Sequence, residues 1–208
     1  MSNKYIRTAI ALSIFTIVYN LAEGIVSIYF GISDEAISLT GFGGDSLIEV
    51  ASAGLVMWRF HGETVSTPHP PSRERAATLG IAVLFGLLSI VTAIAAAARL
   101  FSGRGPDTTL PGVVISLLSL SFMFFLWRAK ERVAIQLNSA TMKSDARCSL
   151  ACIKLSTILL VGSGLVMLVP SFWWADSLAA LILALFIGKE GWEMGRTARH
   201  GDFSGTCC

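Results

Sequence analysis

Six apolar runs of membrane-spanning length, at about 5–30, 36–60, 75–101, 109–128, 142–168 and 171–193, leave this 208-residue chain few folds to adopt. About 20 apolar residues in a helix cover the roughly 30 Å hydrocarbon core of a bilayer, because each residue adds about 1.5 Å. Lipid supplies no hydrogen bonds, so a spanning segment must satisfy its own backbone groups, and a run of this length does so as a helix. The expected fold is all-α: a polytopic membrane protein with six transmembrane helices. A hydrophobic share of 53% against 14% charged residues excludes a soluble domain of this length.

The basic residues orient the chain. Twelve Lys and Arg, among them Lys4, Arg59, Arg128, Lys130, Arg132 and Arg196, flank one side of the runs, and only Arg99 and Arg104 flank the other. Both termini are therefore expected in the cytoplasm. The formal charge of +2 is too small, and the basic residues too scattered, for a nucleic-acid partner. The first run is too long for a signal-peptide core, so it reads as a retained helix. Residues 1–195 form the expected six-helix transmembrane domain. The short cytoplasmic tail at 196–208 is too small to fold alone. Glycines and prolines in HGETVSTPHPPSRER and FSGRGPDTTLPG mark loops, and Pro170 marks a short turn. Arg147 and Lys154 fall within the fifth run. Arg147 can snorkel, whereas Lys154 needs a partner or a cavity, for which Glu23 is the candidate.

The second run carries the chemistry that an idle membrane helix excludes. Asp45 and Glu49 lie one helical turn apart, so both carboxylates project from one face. Each costs at least about 2.5 kcal/mol in hydrocarbon unless it meets a cation, a proton or water. The fifth run supplies a matching pair, Cys148 and Cys152, also at i and i+4. Two facing helices with two donors each make a four-coordinate cage. Mixed oxygen and sulfur donors suit zinc and cadmium, whereas magnesium and calcium take all-oxygen shells. Opposite chain directions bring Asp45 level with Cys152 and Glu49 level with Cys148. The plainer alternative is that each cysteine is a small buried hydrophobe. Neither Cys148/Cys152 nor the terminal Cys207/Cys208 reads as a secreted disulfide framework.

The stretch YNLAEGIVSIYFGISDEAISLTGFGGDSLIEVASAGLVMWRF resembles the first two helices of the cation diffusion facilitator (cation efflux) family. Asn20, Ser38, Asp45 and Glu49 stand where that family places an Asn, a Ser and two metal-binding positions. SDARCSLAC is similar to its fifth-helix pattern at Asp145, Cys148 and Cys152, and ADSLAALILALFIGKEGWEM to its last helix. The resemblance implies a six-helix bundle exporting divalent metal from the cytoplasm by alternating access in exchange for protons. It also implies that helices one, two, four and five surround the site while three and six pack beside them. The sequence departs from the pattern in three respects. Glu49 replaces an Asp, Cys148 and Cys152 replace His or Asp, and the usual C-terminal cytoplasmic domain is missing. The cysteines favour a thiophilic ion, zinc or cadmium. The missing domain leaves a homodimer as an open expectation.

Around this core, Asp145 reads either as a ligand on the access path or as a solvated acid at a helix N-terminus. Asn20 reads as a hydrogen-bond partner of a site carboxylate or of a neighbouring helix. Gly41, Gly43 and Gly44 permit close packing or a bend. His61 and His69 read as a plain loop or a small metal-collecting segment. Cys207 and Cys208, with His200, read as a soft-metal collector, an acylation site or neither. The expected protein is a multi-pass transporter of the prokaryotic inner membrane, with divalent ions, protons and the lipid bilayer as partners and no enzymatic role. The alternative is a non-transporting metal sensor or accessory partner of the same fold. A membrane oxidoreductase using Cys148 and Cys152 is the weakest reading, since their spacing is not C-x-x-C.

Overall fold

The computed structural model describes residues 2–60, 71–103 and 110–200. They form α1 (Ser2–Ser33), α2 (Ile37–Phe60), α3 (Pro71–Ser102), α4 (Leu110–Leu137), α5 (Ala140–Leu168), a 3-10 turn (Pro170–Phe172) and α6 (Ala175–His200). No strand occurs among the described residues. Among the described residues, four helices contain stretches long and apolar enough to cross a membrane: Lys4–Ser33, Thr78–Ser102, Leu110–Leu137 and Thr141–Leu168. The two others expected as spans, α2 and α6, are not in that group. α2 carries Asp45, Glu49 and four glycines, and the second half of α6 carries Lys189, Glu190, Glu193 and Arg196. The polar load of α2 faces the protein interior, where hydropathy is a poor guide.

Helix ends follow from local chemistry. The turn between α1 and α2 places Glu35 at φ 54°, in the left-handed region that L-residues avoid, and its carboxylate is tied to Arg99 at the end of α3. The turn between α4 and α5 uses Asn138 at φ 48°, which Asn tolerates better than most residues. Ser139 then caps α5 by accepting from the Met142 amide. Gly103, at φ 67°, ends α3.

α1 with α2, α2 with α3, α4 with α5 and α5 with α6 pack as neighbours, whereas α3 turns to α6 rather than to α4. Gly43 of α2 lies so close to Ser27 and Ile28 of α1 that a Cβ there would come within 2.9 Å and 2.8 Å of their side chains. Gly41 and Gly44 likewise admit Thr92 and Leu88 of α3. Close packing, one of the two roles open to these glycines, is therefore the one they serve. The strongest partnerships are α1 with α2, α4 with α5, and α3 with α6. Further contacts of α1 with α4 and of α2 with α5 close the first two pairs into a four-helix ring, and α3 and α6 lean on it through α2 and α5. This is the arrangement that the resemblance implies. The alternation of directions leaves the start of α1 and the end of α6 at one end of the bundle.

Among the described residues, small polar side chains are turned inward alongside the apolar core while large apolar ones cover the outside. Ser13, Thr16, Ser27, Ser46, Ser52, Ser116, Ser119, Ser149 and Ser156 are buried, while Val18, Ile32, Val91, Ile94, Phe125 and Leu185 are exposed. Lipid is as apolar as leucine, so helices in a bilayer gain by turning small and hydrogen-bonding residues toward one another.

Candidate ion site

The four-helix ring places the predicted donors on its inner faces. Asp45, Glu49, Cys148, Cys152 and Asp145 are all at most 2% exposed. They fall into two adjoining clusters, one helical turn apart. In the first, Asp45 of α2 and Cys152 of α5 are buried as neighbours across the ring. Ser119 of α4 lies 3.9 Å from the Cys152 Sγ. Glu23 of α1 borders this cluster and accepts hydrogen bonds from Tyr19 and Ser46, each at 2.9 Å.

The second cluster is built around a residue that sequence reasoning placed elsewhere. By sequence Lys130 stands among the flanking cytoplasmic charges, but its side chain is fully buried. Its Nζ lies 3.0 Å from Asp145 Oδ2 and 3.2 Å from Glu49 Oε1, and it donates to Ser149 Oγ at 3.0 Å. Ser149 in turn donates to Glu49 Oε1. Cys148 Sγ donates to Ser52 Oγ at 3.6 Å, and Ser52 donates to Asp145 Oδ1 at 2.7 Å. Glu49, Cys148 and Asp145 thus share one network, with an ammonium at its centre. Asp145 is not the solvated acid of the plainer reading.

Lys130 escaped the sequence reading for a definable reason. α4 runs to Leu137, nine residues past the expected boundary at 128, so position 130 lies about 10 Å inside the helix end at about 1.5 Å per residue. The usable signal was periodicity. Gly112, Ile115, Ser116, Ser119, Met123, Leu126, Lys130, Val133 and Ala134 form one buried face at helical spacing. Eleven flanking charges remain against two, so the charge asymmetry keeps its sense.

Two other assignments change. Lys154 does find a partner, but it is Glu190 of α6 at 2.8 Å, not Glu23, because Lys154 faces the α5–α6 contact and Glu23 faces the ring. Asn20 donates to the Thr16 carbonyl of its own helix at 3.0 Å, and its Oδ1 is buried without a hydrogen-bond partner. Ser38 is engaged at the far end of the bundle, where it and the Ile37 amide donate to Asp176 at the start of α6. His61, His69, Cys207 and Cys208 lie outside the described residues.

Among the described residues, no three His, Cys, Asp or Glu side chains converge closely enough to hold a metal ion together. The four predicted donors line one polar interior, as a pair (Asp45 and Cys152) and as members of the ammonium-centred network (Glu49 and Cys148). Below that network, Val56, Phe60, Val133 and Met142 form an apolar cluster with Ile6. Each of Val56, Val133 and Met142 lies about one turn from a network residue, toward the end that holds both termini.

Compared with known families, residues 9–200 match the cation efflux transmembrane domain. This chain belongs to the cation efflux family. The match runs from the first turns of α1 to the last residue of α6, so it takes in all six helices. Members of the family move cations across membranes rather than convert substrates. The cation efflux domain described here is accordingly an integral, multi-pass membrane protein whose buried acids belong to a cation transporter.

Proposed function

We propose that this cation efflux domain carries soft divalent ions, zinc or cadmium, out of the cytoplasm by alternating access, with protons moving the other way. In this reading all six helices span the bilayer, both termini are cytoplasmic, and the membrane is a prokaryotic inner membrane. The observation that carries the proposal is the burial of Asp45 and Cys152 as neighbours inside the ring. A carboxylate and a thiol paired in a buried interior form a mixed oxygen–sulfur donor set, which favours zinc and cadmium over magnesium and calcium. Glu49 and Cys148 complete the donor set when the two clusters close on an ion. Metal binding requires deprotonated ligands, so loading from the cytoplasm releases protons, and reprotonation on the outside favours discharge. Opening alternates between the apolar cluster of Val56, Phe60, Val133 and Met142 at one end and the contacts of Asp176 and Arg99 at the other.

The test is flux into proteoliposomes containing the purified chain alone. Cadmium and zinc uptake that falls in Cys148→Ser and Cys152→Ser supports the cage; undiminished uptake in both overturns it. A second reading has its own observation. Lys130 already neutralises part of the donor set, which suits a protein that senses or assists without carrying ions. Ion binding with no flux by the purified chain selects that reading.

A further inference from the structure

Metal coordination uses oxygen and sulfur donors, yet the side chain at the centre of the second cluster offers neither. The Lys130 ammonium has three hydrogens and no lone pair. Its nitrogen lies 3.2 Å from Glu49 Oε1, 3.0 Å from Asp145 Oδ2 and 3.0 Å from Ser149 Oγ. Lys130 comes from α4 and its partners from α2 and α5, so the contact joins three helices of the ring. The other oxygen of Glu49, Oε2, is buried and has no hydrogen-bond partner, and Asp145 Oδ2 meets the ammonium as an ion pair without hydrogen-bond alignment. Buried polar atoms are almost always paired, so these two carboxylates retain capacity that the protein's own donors do not fill.

We propose that Lys130 is a tethered cation that competes with the transported ion for Glu49 and Asp145, and thereby sets both its affinity and its release. The inference rests on reading the chain as a carrier of divalent cations. An ion bound at Glu49 and an ammonium held at the same carboxylate repel each other across an interior that screens poorly, so the two occupy it in turn. The ion loads by displacing the ammonium, whose flexible four-carbon stem lets it withdraw. The ammonium cannot diffuse away, so it returns to Glu49 and Asp145 as the ion leaves, at a local concentration no free solute matches. The empty carrier then keeps a neutralising charge inside the membrane. The same competition selects by charge: a monovalent ion replaces one positive charge by another and gains nothing, whereas a divalent ion gains.

The purified full chain in detergent, titrated with cadmium and followed by sulfur-to-cadmium charge transfer and calorimetry, tests this. Lys130→Gln is expected to bind cadmium at least about tenfold more tightly than wild type, about 1.4 kcal/mol. In proteoliposomes it is expected to lower KM and kcat together, because tight binding comes at the expense of release. Since Lys130→Gln leaves two buried carboxylates unpaired, the decisive comparison for a variant that does not fold is Lys130→Gln/Asp145→Asn against Asp145→Asn. The double variant retains the wild-type charge balance and is expected to bind more tightly than the single. Wild type that binds cadmium, with no gain in either comparison, overturns the tethered-cation proposal and leaves the transport reading standing. Absence of cadmium and zinc binding in wild type and variants alike overturns the transport reading, and this proposal with it.

Discussion

The two clusters in the ring meet the same difficulty in opposite ways. Around Lys130, the carboxylates of Glu49 and Asp145 share one ammonium and receive hydroxyls from Ser149 and Ser52. Around Asp45, one turn away, the described residues supply a thiol and a neighbouring acid, Glu23, but no ion pair. A buried carboxylate paired with an ammonium has its charge compensated, and removing either partner costs more than the pair itself contributes. A buried carboxylate without one lacks charge compensation that a cation or a proton can provide. The cluster around Lys130 therefore reads as the part that holds the ring together between ions, and the cluster around Asp45 as the part that calls for an ion.

Substitutions break or sharpen this contrast, beginning with the largest effect. Lys130→Met leaves Glu49 and Asp145 without their shared cation and is expected to lower stability by about 3–5 kcal/mol, read from denaturant or thermal unfolding in detergent. Unchanged stability would show that the network is not structural. Asp45→Asn is expected to reduce cadmium flux in proteoliposomes by about a hundredfold, equivalent to about 2.7 kcal/mol, while leaving the melting temperature equal or higher because it removes an uncompensated buried acid. A large loss of stability in this variant would erase the distinction between the clusters. Cys152→Ser exchanges a soft donor for a hard one, and its expected result is about a tenfold fall in the cadmium-to-zinc flux ratio. Cys148→Ser is expected to shift that ratio less, since Cys148 points to Ser52 rather than to Asp45. Ser38→Ala removes the hydroxyl bond to Asp176, away from both clusters, and is expected to cost about 1 kcal/mol of stability with no change in ion selectivity.

Much of the candidate site is legible in the sequence. Asp45 and Glu49 stand out because ionisable residues in an apolar run are rare and expensive, and Cys148 and Cys152 because they repeat the same i, i+4 spacing on another helix. The level assignment that put Asp45 beside Cys152 needed only antiparallel helices and the rise per residue. Lys130 was not legible in the same way. It sits in WRAKER, a charge run at the edge of an apolar stretch, where hydropathy ends a span and the charge asymmetry rule takes the residue for a flank. Lys154 shows the same limit from the other side: that it needed a partner followed from its position, but that the partner was Glu190 depended on which face of α5 meets α6.

Length and hydropathy by themselves determined an all-helical chain, because backbone groups in lipid have to bond within their own segment. They also singled out Asp45 and Glu49 as buried acids that need a cation, a proton or water, and Cys148 and Cys152 as candidates to share their site. Tertiary structure alone decided how those groups are shared out. A side chain's partners across a bundle depend on helix rotation and on where each helix stops, and the nine residues by which α4 outlasts its apolar run turn Lys130 from a surface charge into the centre of the site.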